Sequence, residues 1–93
     1  MTATLTLALP VHDDAEALAR LLVRLEPVSG ALARVIVVDD GSALPLEKDR
    51  IALPQGVPLT LIRHDRPLGP GAARNRALEA VETPHLMYLD ADD

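Results

Sequence analysis

The segment Arg34-Val35-Ile36-Val37-Val38 constrains the folding of this 93-residue chain more than any other. Four β-branched residues in a row are stiff at χ1 and favour extended backbone. Successive side chains of a strand point to opposite faces, so a run that is apolar throughout must be covered on both. That is the situation of a strand inside a parallel sheet with helices on each side. The run stops at Asp39-Asp40-Gly41-Ser42, a turn composition.

The rest of the chain supplies the partners of such a strand. Leu5 to Leu9 reads as a buried strand stopped by Pro10, and Asp13 with Glu16 makes a capping-box-like helix start. Leu18, Leu21, Leu22 and Leu25 then recur at i, i+3, i+4 and i+7, with Pro27 as the helix end. Residues 43–56 hold two prolines and a glycine, with at most one helical turn around Glu47 to Ile51. VPLTLIR reads as a third strand and HDRPLGPG as a loop, with Pro70 near the first turn of a helix whose stripe is Ala73, Ala77, Ala80 and Val81. Thr83-Pro84 ends it, and HLMYL runs as a fourth strand into Asp90-Ala91-Asp92-Asp93. The expected fold is α/β, with a mostly parallel four-stranded sheet (strands about 4–9, 34–39, 57–63 and 85–90) and helices about 14–26 and 71–82.

Hydrophobic residues form 48% of the chain, enough for a core, although Tyr88 is the only aromatic. The net charge is -5, and five aspartates sit in two short groups, Asp39-Asp40 and Asp90, Asp92, Asp93; the remaining charges balance. An acidic chain with scattered arginines argues against a nucleic-acid footprint. The absence of cysteine excludes disulfides and thiolate metal sites. The N-terminus lacks the basic region of a signal peptide, and no apolar run approaches the roughly 20 residues of a membrane span. A cytoplasmic location is expected, with peripheral membrane association open for the full-length protein.

In open α/β sheets, ligands bind outside the carboxyl ends of the strands. If the strands are parallel, both acidic groups share that rim. Asp90 and Asp92, at i and i+2 past a strand, can converge on a hard cation such as Mg²⁺ or Mn²⁺, though a D-x-D alone also reads as a polar turn. Asp39-Asp40-Gly41-Ser42 can accept hydrogen bonds from a base or ribose, or simply end a strand. Gly69-Pro70-Gly71 places a helix N-terminus where it can meet phosphate, with Arg74 adding a cation; a capped helix with a surface arginine is the plainer reading. His12 lies at the end of the first strand, whereas His64 and His85 read as structural or solvent-facing. No dinucleotide-binding G-x-G-x-x-G follows the first strand and no Walker A motif is present. Nothing places a histidine base beside Ser42.

The segments LTLALPVHD, ARVIVVDDGS, RPLGPGAARNRALEA and HLMYLDADD together resemble the N-terminal half of a family 2 glycosyltransferase domain of the GT-A fold, in that family's order and over nearly the whole chain. The resemblance implies a Rossmann-like nucleotide-binding half, so that residues 1–93 would be a partial domain of a longer inverting transferase. Its donor would be a nucleotide-diphosphate sugar, most commonly a UDP-sugar, and its acceptor an unidentified hydroxyl. Pro10, Val11 and His12 would lie along the base and ribose. Asp39 and Asp40 would serve the base, with Asp40 in direct contact. Arg74 would lie near the diphosphate or support its loop. Asp90 and Asp92 would form the D-x-D pair, Asp92 as metal ligand and Asp90 nearer the ribose, with Mg²⁺ or Mn²⁺ as cofactor. The family often carries Tyr-Asn at His12-Asp13 and Gly at Ala77. Its acceptor half and general base lie beyond the D-x-D motif, so no residue here is assigned catalysis and the isolated chain is expected to be inactive. The alternative is a non-catalytic nucleotide-binding module, or one that self-associates through an exposed sheet edge.

Overall fold

A computed structural model describes residues 3–91. The elements follow in the order β1 (Leu5–Val11), α1 (Ala15–Arg24), β2 (Leu32–Asp40), β3 (Leu59–His64), α2 (Pro70–Glu79) and β4 (His85–Tyr88), with short 3-10 helices at Glu26–Ala31 and Lys48–Arg50. The sheet is parallel throughout, with strand order β3-β2-β1-β4.

Side-chain alternation divides the core into two layers. Leu7, Leu9, Val11, Val35 and Val37 pack with Leu18, Leu21, Leu22 and Leu25 on the α1 side. Ala8, Ile36 and Val38 pack with Ala73 and Ala77 on the α2 side. Val35, Ile36, Val37 and Val38 are all fully buried. Burying each is worth roughly 1.5–3 kcal/mol. Surface pairs such as Glu47–Arg50, at 3.2 Å, contribute about 0–1 kcal/mol each. The β-branched run therefore dominates the ledger over the surface charges. Alanine at positions 73 and 77 keeps the sheet-facing side of α2 small where it packs on Ala8, Ile36 and Val38.

Two boundaries differ from the sequence reading for identifiable reasons. Pro10 does not stop β1; it pairs in register with Val38, and the strand continues to Val11. The Leu89 N–H donates to the Ala8 carbonyl at 3.1 Å, so Ala8 faces β4. Pro10, two residues on, turns its nitrogen to the same side, past the last paired residue of β4, where no ladder bond is lost. Pro27 does not end the first helix either. Helix α1 stops at Arg24, the Leu25 N–H bonds back to Leu22, and Pro27 lies in the first turn of a 3-10 helix. A residue without an N–H is well placed there.

Among the described residues, no helix is long and apolar enough to cross a membrane.

Candidate functional site

The strand order reverses beside β1: the chain steps from β1 to β2 and β3, then returns to place β4 on β1's other side. A crevice forms at such a switch point, outside the carboxyl ends of the strands. A cleft of about 280 Å³ lies there. Pro10, Val11 and His12 line it from the end of β1, Asp14 from the start of α1, Asp40 from β2, Pro70 from α2, and Asp90 and Ala91 from beyond β4. A larger hollow of about 510 Å³ lies elsewhere, between α1 and residues 44–52. Its walls are mostly apolar, with Glu47 and Arg50 the charged exceptions. Convergent polar groups from several strand ends favour the smaller cleft as the functional site.

Asp39 and Asp40 are neighbours on β2 and so point to opposite faces. Each finds a partner directly across the ladder, because β3 aligns Arg63 with Asp39 and His64 with Asp40. Asp39, only 1% exposed, accepts from the Ser42 N–H at 3.0 Å, the Leu46 N–H at 2.9 Å and Arg63 Nη1 at 2.8 Å. Arg63 also donates to the Ser42 carbonyl at 3.1 Å, closing the loop onto β3. Asp40, 5% exposed, holds the other loop. Its Oδ1 accepts from His64 Nδ1 at 2.8 Å and the Leu68 N–H at 2.9 Å, and its Oδ2 from the Gly69 N–H at 2.9 Å.

Burial alone pushes both carboxyls up, but these hydrogen bonds outweigh it. Asp39 is held below the ordinary 3.8 by Ser42, Leu46 and Arg63. Asp40 is held below it by His64, Leu68 and Gly69. The sign follows by linkage. A carboxyl whose native pKa is lowered contributes stability that is complete above its unfolded value and is lost as the pH falls through the native one. Thermal unfolding followed from pH 7 to pH 2 is therefore expected to show a loss of stability setting in near pH 3.8 and deepening below it. Asp39→Asn and Asp40→Asn should each flatten that acid limb; an unchanged limb in both would contradict the assignment.

The loop after β1 is clasped to the loop after β2. Asp13 adopts φ 50, a left-handed conformation that aspartate tolerates. Its N–H donates to Ser42 Oγ at 3.0 Å, and its Oδ1 accepts from the Ala43 N–H at 2.7 Å. Asp13 is consequently not the cap of α1, contrary to the capping-box reading. Asp14 takes that place and accepts from the Ala17 N–H at 3.1 Å. His12 Nδ1 lies 2.8 Å from the Asp40 carbonyl, and its Nε2 lies 3.1 Å from Asp13. A carbonyl only accepts, so Nδ1 is the donor in that contact, and the exposed ring lines the cleft.

Across the cleft, Arg74 Nη2 lies 3.4 and 3.5 Å from the two oxygens of Asp90. Tyr88 donates its hydroxyl to the Arg74 carbonyl at 3.3 Å. Asp90 is partly exposed and only loosely held, and an ionised carboxylate is a suitable donor for a hard divalent cation. Asp92 lies outside the described residues. Among the described residues, no three His, Asp or Glu side chains converge as a metal-ligating group.

Of the residues singled out in the sequence, Pro10, Val11, His12, Asp40 and Asp90 share one cleft, with Arg74 beside Asp90. Asp39 is not among the cleft's lining residues. Sequence reasoning passed over Arg63 and read His64 only as structural or solvent-facing, without its role as ladder partner of Asp40. The available signal was their position at the end of a strand predicted to lie in the same parallel sheet as Asp39-Asp40.

The profile of glycosyl transferase family 2 matches residues 6–93. A pre-mycofactocin glycosyltransferase of Mycobacterium tuberculosis is 39% identical over 87 residues, covering 94% of this chain and 17% of that protein. The succinoglycan biosynthesis protein ExoO of Rhizobium meliloti is 32% identical over 88 residues, covering 95% of this chain and 25% of that protein. A teichoic acid poly(glycerol phosphate) polymerase of Staphylococcus epidermidis is 43% identical over 61 residues, covering 63% of this chain and 8% of that protein. The chain thus spans a quarter or less of the length of these relatives.

Proposed function

Because the chain belongs to glycosyl transferase family 2, we propose that its strand-end cleft binds the nucleoside diphosphate of an activated sugar, as the donor-binding part of an inverting glycosyltransferase. The observation that carries this reading is the convergence of Asp40, Asp90 and the α2 N-terminus on one cleft at the switch point of the sheet. A relative named as a glycosyltransferase, aligned over 94% of this chain, supports it.

In this reading Pro10, Val11 and His12 form the wall along the base and ribose. Asp40 has three hydrogen bonds on its two oxygens and keeps acceptor capacity for an N–H of the base. Asp39 acts behind it by fixing the loop that follows β2. The first turn of α2 offers N–H groups and a positive dipole end to the diphosphate, with Arg74 as a nearby cation. Asp90, with Asp92, would hold Mg²⁺ or Mn²⁺, which when bound neutralises charge on the departing nucleoside diphosphate. Residues 1–93 are read as the donor-binding part of a larger domain. Among the described residues, none is assigned as the base that would activate an acceptor hydroxyl.

Titration of the chain with UDP, with and without Mn²⁺, tests the reading. Binding is expected in the presence of Mn²⁺, weakening by roughly tenfold or more when the metal is removed and by a similar factor in Asp92→Ala. Metal-independent binding would favour a bare nucleotide-binding module. Failure to bind UDP, GDP, ADP or CDP under any of these conditions would sink the proposal.

A further inference from the structure

We infer that His64 is a positioning residue of the donor cleft: through Asp40 it holds the loop 65–69 in the geometry that delivers the N-terminus of α2 and Arg74 to the nucleotide. The inference rests on the donor-site reading of the cleft.

The geometry is specific. His64 closes β3 and stands directly across the ladder from Asp40. Its side chain is 12% exposed and its Nδ1 lies 2.8 Å from Asp40 Oδ1. A carboxylate only accepts, so Nδ1 is the protonated nitrogen. The same carboxylate receives the Leu68 and Gly69 N–H groups. One side chain at the end of β2 thus gathers three donors from the six residues, 64–69, that end β3 and lead into α2.

Apart from the close approach of the Arg66–Pro67 backbone to Gly41, the described residues offer the loop little else to hold it. Asp65, Arg66, Pro67 and Leu68 are all exposed, so apolar burial does not fix their path. Gly69 takes φ 99 immediately before Pro70 opens α2, and among the described residues no side chain caps α2. The direction in which the helix leaves the loop therefore depends on where the Leu68 and Gly69 N–H groups are pinned. Asp40 does the pinning, and His64 sets the rotation of its carboxylate. Without the ring, the carboxylate is free to turn towards the cleft, and the two N–H bonds are strained or lost. Asp40 serves the cleft and the loop at once, so His64 couples contact with the base to placement of the phosphate-facing turn.

Asparagine provides the discriminating variant. Its amide nitrogen is attached to Cγ, as Nδ1 of histidine is, whereas the amide of glutamine lies one carbon further out. Hydrogen exchange of the Leu68 and Gly69 amides and UDP titration with Mn²⁺ are measured on the native chain, His64→Leu and His64→Asn. His64→Leu is expected to reduce protection of both amides and to weaken UDP by about tenfold each, with the Val35–Val38 amides unchanged; His64→Asn should restore both. Native-like protection and affinity in His64→Leu, or a failure of His64→Asn to recover either, would overturn the inference. Should His64→Leu fail to fold, His64→Asn against His64→Gln decides it: recovery only with asparagine supports the positioning role, and equal behaviour refutes it. If the native chain binds no nucleoside diphosphate, the donor-site reading falls, and the amide protection alone still tells whether His64 holds the loop.

Discussion

Gly41→Ala is expected to destabilise the protein by about 3 kcal/mol or more, enough to remove much of the stability of a domain held by 5–15 kcal/mol. Two costs coincide at this position. Gly41 adopts φ 70, where an L side chain is strained. A Cβ there would also overlap the backbone nitrogen of Pro67 and the carbonyl carbon of Arg66, and it would stand 2.6 Å from Pro67 Cδ. Backbone atoms of a proline-containing loop cannot swing aside as the end of a flexible side chain can. Relief therefore requires the loop after β2 to part from the loop before α2, which opens the cleft as well. Gly30 is the control, since nothing lies within 4 Å of a Cβ built there. Gly30→Ala should change stability by no more than about 0.5 kcal/mol. Urea unfolding of both variants makes the comparison, and equal midpoints would refute the steric argument.

Asp39→Ala is expected to cost about 2–4 kcal/mol, because a donor left without its buried acceptor costs about 1–3 kcal/mol and three donors share this carboxylate. The Asp39 carboxylate is the shared acceptor of two backbone N–H groups and one guanidinium. Its removal leaves the Ser42 and Leu46 N–H groups without that acceptor and Arg63 without its counter-charge. Arg63→Met should cost less, because Arg63 is partly exposed and Asp39 would keep both N–H bonds. Glu47→Ala, which breaks an exposed pair, should cost no more than about 1 kcal/mol. Urea unfolding orders the three. A loss in Asp39→Ala no larger than in Glu47→Ala would show that the buried carboxylate is not a structural anchor.

The fold was largely legible because its signals are local. Four buried β-branched residues at Val35–Val38 demand cover on both faces, and the leucine stripe of α1 and alanine stripe of α2 supply it. Prolines were read less well, since what a proline does depends on which hydrogen bond it replaces. Pro10 is harmless in β1 because β4 has already ended beside it. Pro27 opens a 3-10 helix instead of closing an α-helix. Asp13 and Asp14 are adjacent and equally able to cap, and the choice falls to Asp14 because Asp13 is drawn across to Ser42 and Ala43.

The candidate site divides along the same line. Residue type and strand-end position were sufficient to single out Pro10, Val11, His12, Asp40 and Asp90, because in a parallel α/β sheet every strand ends on one rim. Which of two neighbouring aspartates lines the cleft, and what holds each of them, depends on β2–β3 register. Asp40 meets His64, and Asp39 meets Arg63, across 24 residues of sequence. A shift of one residue would give each aspartate a different neighbour on β3 and turn the β3 side chains to the other face. Periodicity and turn chemistry act over a few residues and are written in the chain itself. Register is set by packing between distant segments, so the two clamps behind the cleft exist only in the folded molecule.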